Sequence, residues 1–241
     1  WNAYNDITDI EIDRTNRPGR PLPSGRLNLK EAANAMRASL VLSVSFLIIG
    51  AMNLSDSIID EEVIVSVAIW IVAVFLLISY EGIRGSKGLK HRGLVGNVAI
   101  ASAIGMDVIF GASSVSGTTD PKVISLAVMA ILLSLARELI KDIEDMEGDI
   151  GRNTLPRKIG VDNARSIAWI FTLAAFISLF LPFILEVFPT EHAILVAPGG
   201  LLLMLVKSKL FVGEDRAAQS LIKRSLQVSM IGVIASAVII G

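Results

Sequence analysis

The sequence predicts an all-α protein that crosses a membrane several times. Of its 241 residues, 53% are hydrophobic and only 19% are charged, and the mean hydropathy is +0.64. A soluble domain of this size carries a larger polar share. Seven apolar stretches are long enough, or nearly so, to cross a hydrocarbon core, which takes about 20 helical residues. Basic residues also collect in alternate connections between these stretches, as they do in multispanning bundles.

The stretches follow one another with short connections, which favours a single membrane-embedded domain over residues 1–241. In order, the predicted spans lie at 35–54, 62–80, 94–112, 122–140, 164–186, 192–206 and 224–241. The sixth span is the shortest and contains Pro198, Gly199 and Gly200. Proline and glycine interrupt helices, so we expect a broken or tilted helix there.

The basic residues indicate which ends of the spans face the cytoplasm. All of the 22 Lys and Arg residues except Lys122 lie before the first span, in the connections after the second, fourth and sixth, or in the span ends that adjoin these regions. The other connections are acidic or neutral, as in "NLSDSIIDEE" and "VFPTEH". By the positive-inside rule the basic side is cytoplasmic. This alternation supports seven spans independently of hydropathy.

Composition excludes several classes of site. The net charge of -1 gives no reason to expect a nucleic-acid partner. Cysteine is absent and there are two histidines, which excludes disulfides, iron–sulfur clusters and thiol nucleophiles and leaves little for zinc or copper. Carboxylates remain as ligands, and they suit magnesium, calcium or manganese. Because the chain starts at Trp1, with neither an initiator methionine nor a signal peptide, we expect a fragment of a longer protein.

Two acidic segments share one spacing at cytoplasmic span ends. Each has three aspartates separated by three and then four residues, which places them on one face of a helix. The first trio is Asp6, Asp9 and Asp13, and the second is Asp142, Asp145 and Asp149. Each segment leads into a turn rich in arginine and proline, "RTNRPGRPLP" or "GRNTLPRK". Solvated turns beside the membrane would explain one such segment, but they give no reason for two matched ones.

The matched segments indicate a site for divalent cations and a diphosphate. Carboxylates stay ionised close together when cations lie among them. Magnesium keeps one or two protein carboxylates and takes its other ligands from phosphates and water. Arginines in the turns would bind the remaining phosphate oxygens. Beside an apolar bundle, this predicts a substrate with a lipid tail whose loss of diphosphate leaves an allylic carbocation, protected from water by dry walls.

Three motifs resemble those of the UbiA superfamily of intramembrane prenyltransferases. Asn5, Asp9 and Asp13 match the pattern N-x-x-x-D-x-x-x-D, and Asp145 and Asp149 match D-x-x-x-D. Between them, "GLKHRGLVGNVAIASAIG" is similar to the basic loop that precedes a span in that family. The resemblance covers essentially the whole chain and implies nine helices around a cavity that opens sideways to the lipid. The first helix and most of the second would then be missing here.

The stretch "RELIKDIEDMEGDIGRNTLP" is most similar to the archaeal digeranylgeranylglyceryl phosphate synthases of that superfamily. The resemblance implies transfer of a geranylgeranyl group from geranylgeranyl diphosphate to geranylgeranylglyceryl phosphate, which forms the second ether bond of archaeal lipids. It also implies Mg²⁺ as cofactor, a setting among membrane lipids and an active site on the cytoplasmic side.

Candidate site residues follow from these motifs and from the pattern of charges. The expected catalytic and metal-binding carboxylates are Asp9, Asp13, Asp145 and Asp149, and Asp6 and Asp142 extend the metal-binding set. The expected substrate-binding residues are Asn5, Arg17, Arg20, Lys87, Lys90, Arg157 and Lys158.

The loop after the second predicted span departs from the family pattern. The family often has a tyrosine about five residues before the loop lysine, whereas Tyr80 precedes Lys90 by ten. The resemblance therefore leaves the role of Tyr80 open, and Lys87 competes with Lys90 as the phosphate contact.

Two other functions compete with this interpretation. A UbiA-type enzyme that prenylates an aromatic quinone precursor would use the same ionisation. An ion-coupled transporter would also carry intramembrane acids, but near the midplane and at breaks in related halves. Asp107 lies in the middle of a predicted span, where a carboxylate usually faces a cavity. It could orient the acceptor hydroxyl or take its proton, or it could be neutral and hydrogen-bonded between helices.

Overall fold

The computed structural model describes residues 1–54, 60–82, 87–113, 120–149 and 151–240, and these residues form helices and turns with no strand among them. The α-helices are α1 (Asn2–Thr8), α2 (Ile10–Asn16), α3 (Leu29–Leu54), α4 (Glu61–Glu81), α5 (Leu94–Ser113), α6 (Pro121–Glu144), α7 (Leu155–Ile159), α8 (Val161–Ile184), α9 (Ala193–Phe211) and α10 (Asp215–Ile240). Single turns of 3₁₀-helix lie at Leu89–His91 and Thr190–His192.

Seven of the described helices, α3 to α6 and α8 to α10, are long and apolar enough to cross a membrane. The prediction of an all-α membrane bundle is therefore confirmed, and each predicted span overlaps one of these helices. The last span differs most, because α10 begins at Asp215 and the predicted span begins at 224. Hydropathy identifies only the apolar part of a helix, and the polar first turns of α10 continue it beyond that part.

The sixth span is not broken. Helix α9 runs without interruption through Pro198, Gly199 and Gly200. A Cβ at Gly199 would collide with Ser229 Oγ of α10, and a Cβ at Gly200 would lie 2.7 Å from the Phe180 ring of α8. The small residues thus allow close approach of neighbouring helices, a recurrent use of glycine in membrane bundles.

Helix α6 lies at the centre of the bundle, where it packs against α5, α8 and α10. Its side chains Leu133, Leu139 and Ile140 are fully buried and belong to a core shared with α8, α9 and α10. Helix α3 is peripheral, and its larger contacts within the described residues are with α1 and α4. This arrangement leaves the segment α1–α2, the last turn of α4, the first turn of α5 and the last turn of α6 together at one end.

Candidate active site

The two acidic segments lie against each other, as the sequence pattern predicts. Arg17 Nη2, just after α2, donates to both carboxylate oxygens of Asp145 at 3.0 Å. In the other direction, Arg152 Nη2 donates to Asp9 Oδ1 at 2.6 Å. A Cβ at Gly148 would collide with the side chain of Asn16, so the second segment approaches as closely as glycine allows. Each segment therefore supplies a cation to the carboxylates of the other.

Neither trio of aspartates lies on one continuous helix. Asp9 stands between α1 and α2 with φ -99° and ψ 12°, and Asp145 caps the C-terminus of α6. The i to i+4 hydrogen bonds nevertheless continue, from Asp9 N to Asn5 O at 2.9 Å and from Asp13 N to Asp9 O at 2.8 Å. Asp149 N likewise donates to Asp145 O at 3.0 Å. The helical spacing of the carboxylates is thus kept across the breaks.

Basic side chains from elsewhere in the chain hold these carboxylates. Arg20 Nη1 bridges Asp6 Oδ1 at 2.9 Å and Asp13 Oδ2 at 2.6 Å. Arg152 also lies 3.2 Å from Asp149 Oδ1. Asp142, inside α6, instead accepts a hydrogen bond from Asn97 Nδ2 of α5 at 2.9 Å. The repulsion within each trio is therefore offset by partners that helical spacing alone does not reveal.

Glu81, the last residue of α4, is a site residue that the sequence analysis missed. Its carboxylate accepts hydrogen bonds from Asn5 Nδ2 at 2.5 Å, from Thr8 Oγ1 at 2.8 Å and from Lys90 Nζ at 2.5 Å. Lys90 Nζ also donates to Asp9 Oδ1 at 2.8 Å. The available signal was an acidic residue at the end of an apolar span, directly after Tyr80.

The predicted substrate-binding residues divide into two groups. Four of them contact carboxylates of the acidic segments directly, namely Asn5, Arg17, Arg20 and Lys90. Lys87, Arg157 and Lys158 are exposed at the surface, and Arg157 Nη2 donates to the backbone carbonyl of Met146. The structure therefore places Lys90, and not Lys87, beside the acidic segments.

A polar cavity of 390 Å³ opens between the first acidic segment and α6. Tyr80 lies in its wall, so the longer loop before Lys90 does not remove the tyrosine from the site. The charged residues that line this cavity are Asp6, Arg17, Arg20, Arg137, Glu138 and Lys141. The last three, all on α6, were not among the predicted site residues. For Arg137 and Lys141, the positive-inside rule already explains a basic residue near a cytoplasmic helix end.

An apolar cavity of 440 Å³ adjoins the polar one between α1, α3 and α4. Trp1 lines both cavities. Met36, Leu40, Trp70 and Leu77 are among the residues that form the apolar walls. Asp107, whose role the sequence left open, lines neither of these cavities and is exposed on α5. A polar compartment beside an apolar one suits a ligand with a charged head and a lipid tail.

Burial and neighbouring charges act differently on the aspartates. Burial raises the pKa of Asp9, but the charges of Arg152 and Lys90 outweigh that effect and leave the pKa below its ordinary range. Burial also raises the pKa of Asp145 and of Asp149, and there the nearby arginines offset it only in part. An added cation would favour the ionised form of these last two carboxylates.

The residues fit a magnesium ion that is completed by a substrate. Asp149 Oδ1 is buried and accepts no hydrogen bond from the described residues, although Arg152 Nη1 lies 3.2 Å away. Within the described ranges, no three His, Cys, Asp or Glu side chains are grouped closely enough to form a ready-made metal site. Magnesium does not need such a group, because one or two carboxylates suffice when phosphate oxygens and water supply the rest.

Comparison with known proteins identifies similar chains. Residues 1–229 match the model of the UbiA prenyltransferase family. The chain is 33% identical over 230 residues to the digeranylgeranylglyceryl phosphate synthase of Haloquadratum walsbyi, which covers 95% of this chain and 74% of that protein. With the enzyme of the same name from Methanosarcina mazei it shares 36% identity over 238 residues, covering 97% and 76%.

One solved structure, described as that of a digeranylgeranylglyceryl phosphate synthase in membranes, has a similar fold. It aligns with a TM-score of 0.62 and 30% sequence identity, covering 98% of this chain and 79% of the other. The fold and the sequence motifs thus point to the same group of proteins.

Proposed function

The chain belongs to the UbiA prenyltransferase family, and from that premise we propose that it transfers a geranylgeranyl group from geranylgeranyl diphosphate to the free hydroxyl of geranylgeranylglyceryl phosphate. The product would contain the second ether bond of archaeal membrane lipids. Relatives that cover more than nine-tenths of the chain are named for synthesis of this product, which supports the choice of acceptor.

The observation that carries the proposal is the crossed pair of contacts between the acidic segments, from Arg17 to Asp145 and from Arg152 to Asp9. They bring the carboxylates of both segments to one end of the bundle, beside the two cavities. We assign magnesium to Asp9, Asp13, Asp145 and Asp149, with Asp6 and Asp142 in support. Bound there, the metal would neutralise charge on the diphosphate.

The basic residues that contact these carboxylates would bind the diphosphate oxygens. Arg17 and Arg20 both line the polar cavity and contact carboxylates through one terminal nitrogen each. A guanidinium has five N–H donors, so each can bind an anion without losing its carboxylate partner. Lys90 contributes a further charge next to Asp9. These cations stabilise the negative charge that develops as the diphosphate departs.

The reaction breaks the bond between the allylic carbon and the diphosphate oxygen, and both electrons leave with the diphosphate. A lone pair of the acceptor hydroxyl then forms the new carbon–oxygen bond, and the hydroxyl proton passes to the departing diphosphate. The apolar cavity would hold the prenyl tail and keep water from the cation. No covalent nucleophile is needed, which agrees with the absence of cysteine.

We place this site on the cytoplasmic side of the membrane. The carboxylates lie at the end of the bundle that carries nearly all of the basic residues, which the positive-inside rule assigns to the cytoplasm. Labelling of a cysteine introduced at exposed Lys158, in sealed and in opened vesicles, would test this placement.

Prenyl transfer can be tested with membranes that contain the protein, labelled geranylgeranyl diphosphate and magnesium. Geranylgeranylglyceryl phosphate and a hydroxybenzoate are supplied as alternative acceptors. We expect a labelled ether only with the glyceryl phosphate, together with magnesium-dependent release of pyrophosphate. A labelled ring would overturn the choice of acceptor, and absence of pyrophosphate release would overturn the enzymatic assignment of this site.

A further inference from the structure

We propose that Arg137 and Lys141, on the cavity face of α6, bind the phosphate group of the acceptor. The ligand class is a phosphomonoester with a lipid tail, and the inference rests on the proposed function above. It adds a second anion-binding position to the site, separate from the carboxylates and arginines assigned to the diphosphate.

The two side chains form a pair on one face of one helix. They are four residues apart on α6, so they lie one above the other, and both line the 390 Å³ cavity. Glu138 lies between them, with Oε1 at 2.7 Å from Arg137 Nη1 and Oε2 at 3.5 Å from Lys141 Nζ. The Glu138 carboxylate thus orients both cations while they remain accessible, with 34% of the Arg137 side chain and 24% of the Lys141 side chain exposed.

A purely structural role explains this pair poorly. Ionisable residues within a membrane span are costly, and lysine or arginine near a span end normally extends towards the lipid headgroups. Arg137 and Lys141 instead face a cavity inside the bundle, from the helix that forms its buried centre. The two cations share Glu138 as their close ion-pair partner in the described residues. An anion in the cavity would complete this arrangement.

The geometry favours a phosphate at this position. A guanidinium presents a planar fork of donors and an ammonium supplies a compact charge, and together they suit the oxygens of a phosphate dianion. Arg137 uses Nη1 for Glu138, which leaves other N–H groups available for the cavity.

The acceptor fits this position better than the donor does. Arg17 and Arg20, which line the same cavity, are bonded to Asp145, Asp6 and Asp13. These two arginines are assigned to the diphosphate beside the carboxylates for magnesium, whereas Arg137 and Lys141 are paired with Glu138 and remain for a second anion. Two anionic substrates in one cavity repel each other unless separate cations compensate the charge of each. The exposed Arg157 and Lys158, which the sequence predicted to bind substrate, do not line this cavity.

The experiment measures transfer to two acceptors that differ only in the phosphate, geranylgeranylglyceryl phosphate and geranylgeranylglycerol. Variants Arg137→Gln and Lys141→Gln are compared with the wild type. We expect each variant to raise the KM for the phosphorylated acceptor by about 10- to 100-fold, as loss of a charge-assisted hydrogen bond does. The KM for geranylgeranyl diphosphate and the rate with geranylgeranylglycerol should stay at their wild-type values.

The matched control is Arg216→Gln, on α10. Its side chain is 87% exposed and lines neither of the two cavities assigned to the substrates, so no kinetic change is expected. As an independent measurement, glycerol phosphate should inhibit the wild type in competition with the lipid acceptor and not with the diphosphate. If the glutamine variants do not fold, Lys141→Arg takes their place, and it should keep the preference for the phosphorylated acceptor.

The outcomes separate this inference from the proposed function. A wild type that prenylates neither acceptor counts against the proposed function itself. Suppose instead that the wild type prenylates the acceptors. If the variants then lose activity equally with both acceptors, or lose affinity for the diphosphate, only the assignment of Arg137 and Lys141 is overturned. The same assignment is overturned if glycerol phosphate competes with the donor. It is also overturned if Arg157→Gln raises the acceptor KM and the Arg137 and Lys141 variants do not.

Discussion

Glu81 and Lys90 form an ion pair that is almost completely shielded from solvent, with side-chain exposures of 0% and 7%. The pair joins the end of α4 to the loop before α5. Because Lys90 also contacts Asp9 and Glu81 also accepts from Asn5, the pair positions the first acidic segment against the bundle. Glu81 lines neither of the two cavities assigned to the substrates, so we regard it as a positioning residue.

Substitution Glu81→Gln tests this role. Removing one partner of a buried ion pair leaves the other charge uncompensated and costs about 3–5 kcal/mol. We expect a lower Tm and a kcat/KM for prenyl transfer reduced by at least about tenfold, as Lys90 and Asn5 lose their anchor. The control Glu11→Gln removes an exposed carboxylate paired with Arg14. If Glu81→Gln and Glu11→Gln have the same Tm and the same kcat/KM, Glu81 has no positioning role.

Substitutions Asp9→Ala and Asp145→Ala test the assignment of the carboxylates. Each removes an expected metal ligand from one segment, and we expect turnover to fall by at least about 100-fold in either variant, since electrostatic stabilisation of the departing diphosphate is lost. Size-exclusion profiles should show that both proteins remain folded. Glu147→Ala removes an exposed carboxylate of the second segment and serves as the control. Full activity of both aspartate variants would refute the metal assignment.

The pKa of Asp9 makes stability depend on pH in a defined direction. Burial raises this pKa, but Arg152 and Lys90 together bring it below the ordinary value of 3.8. The folded state therefore holds Asp9 ionised more strongly than the unfolded state does. The stabilisation is present above pH 3.8 and disappears as the pH falls through the lower folded value.

Thermal unfolding of the wild type and Asp9→Asn at several pH values checks this prediction. The Tm difference between the two proteins should be largest at neutral pH and should shrink in acid. Asp149→Asn provides the opposite case, because burial raises the pKa of Asp149 and its ionised form costs stability as the pH increases. Parallel Tm curves for the wild type and Asp9→Asn would contradict the prediction.

If the apolar cavity holds the prenyl tail, narrowing it should weaken binding of a long prenyl diphosphate more than binding of a short one. Leu77 lines this cavity between α3 and α4, and Leu77→Trp would fill part of its 440 Å³. We expect the KM for geranylgeranyl diphosphate to rise by about 10-fold or more, because an oversized side chain in an occupied apolar space costs about 1–3 kcal/mol. The shorter geranyl diphosphate should be affected less. Leu205→Trp, on an exposed face of α9, should alter neither donor, and equal effects on both donors would argue against this cavity as the tail site.

The sequence alone determined the membrane class, the seven spans and the position of both acidic segments at the same end of the bundle. These properties depend on local hydropathy and on the distribution of Lys and Arg, which are read without knowing how helices pack. The spacing of the aspartates is also local, and it survives the breaks at Asp9 and Asp145 because backbone hydrogen bonds of the i to i+4 type continue there.

Only the tertiary structure decided which basic residues accompany the carboxylates. Arg152 and Asp9 are 143 positions apart, and Arg17 and Asp145 are 128 apart, so their contacts depend on how the helices rotate and pack. Packing likewise buried Lys90 and left Lys87 exposed, and it turned Arg137 and Lys141 into the cavity. A charge pattern along one helix specifies a face, but the neighbour that this face meets is set by the close packing of the whole bundle.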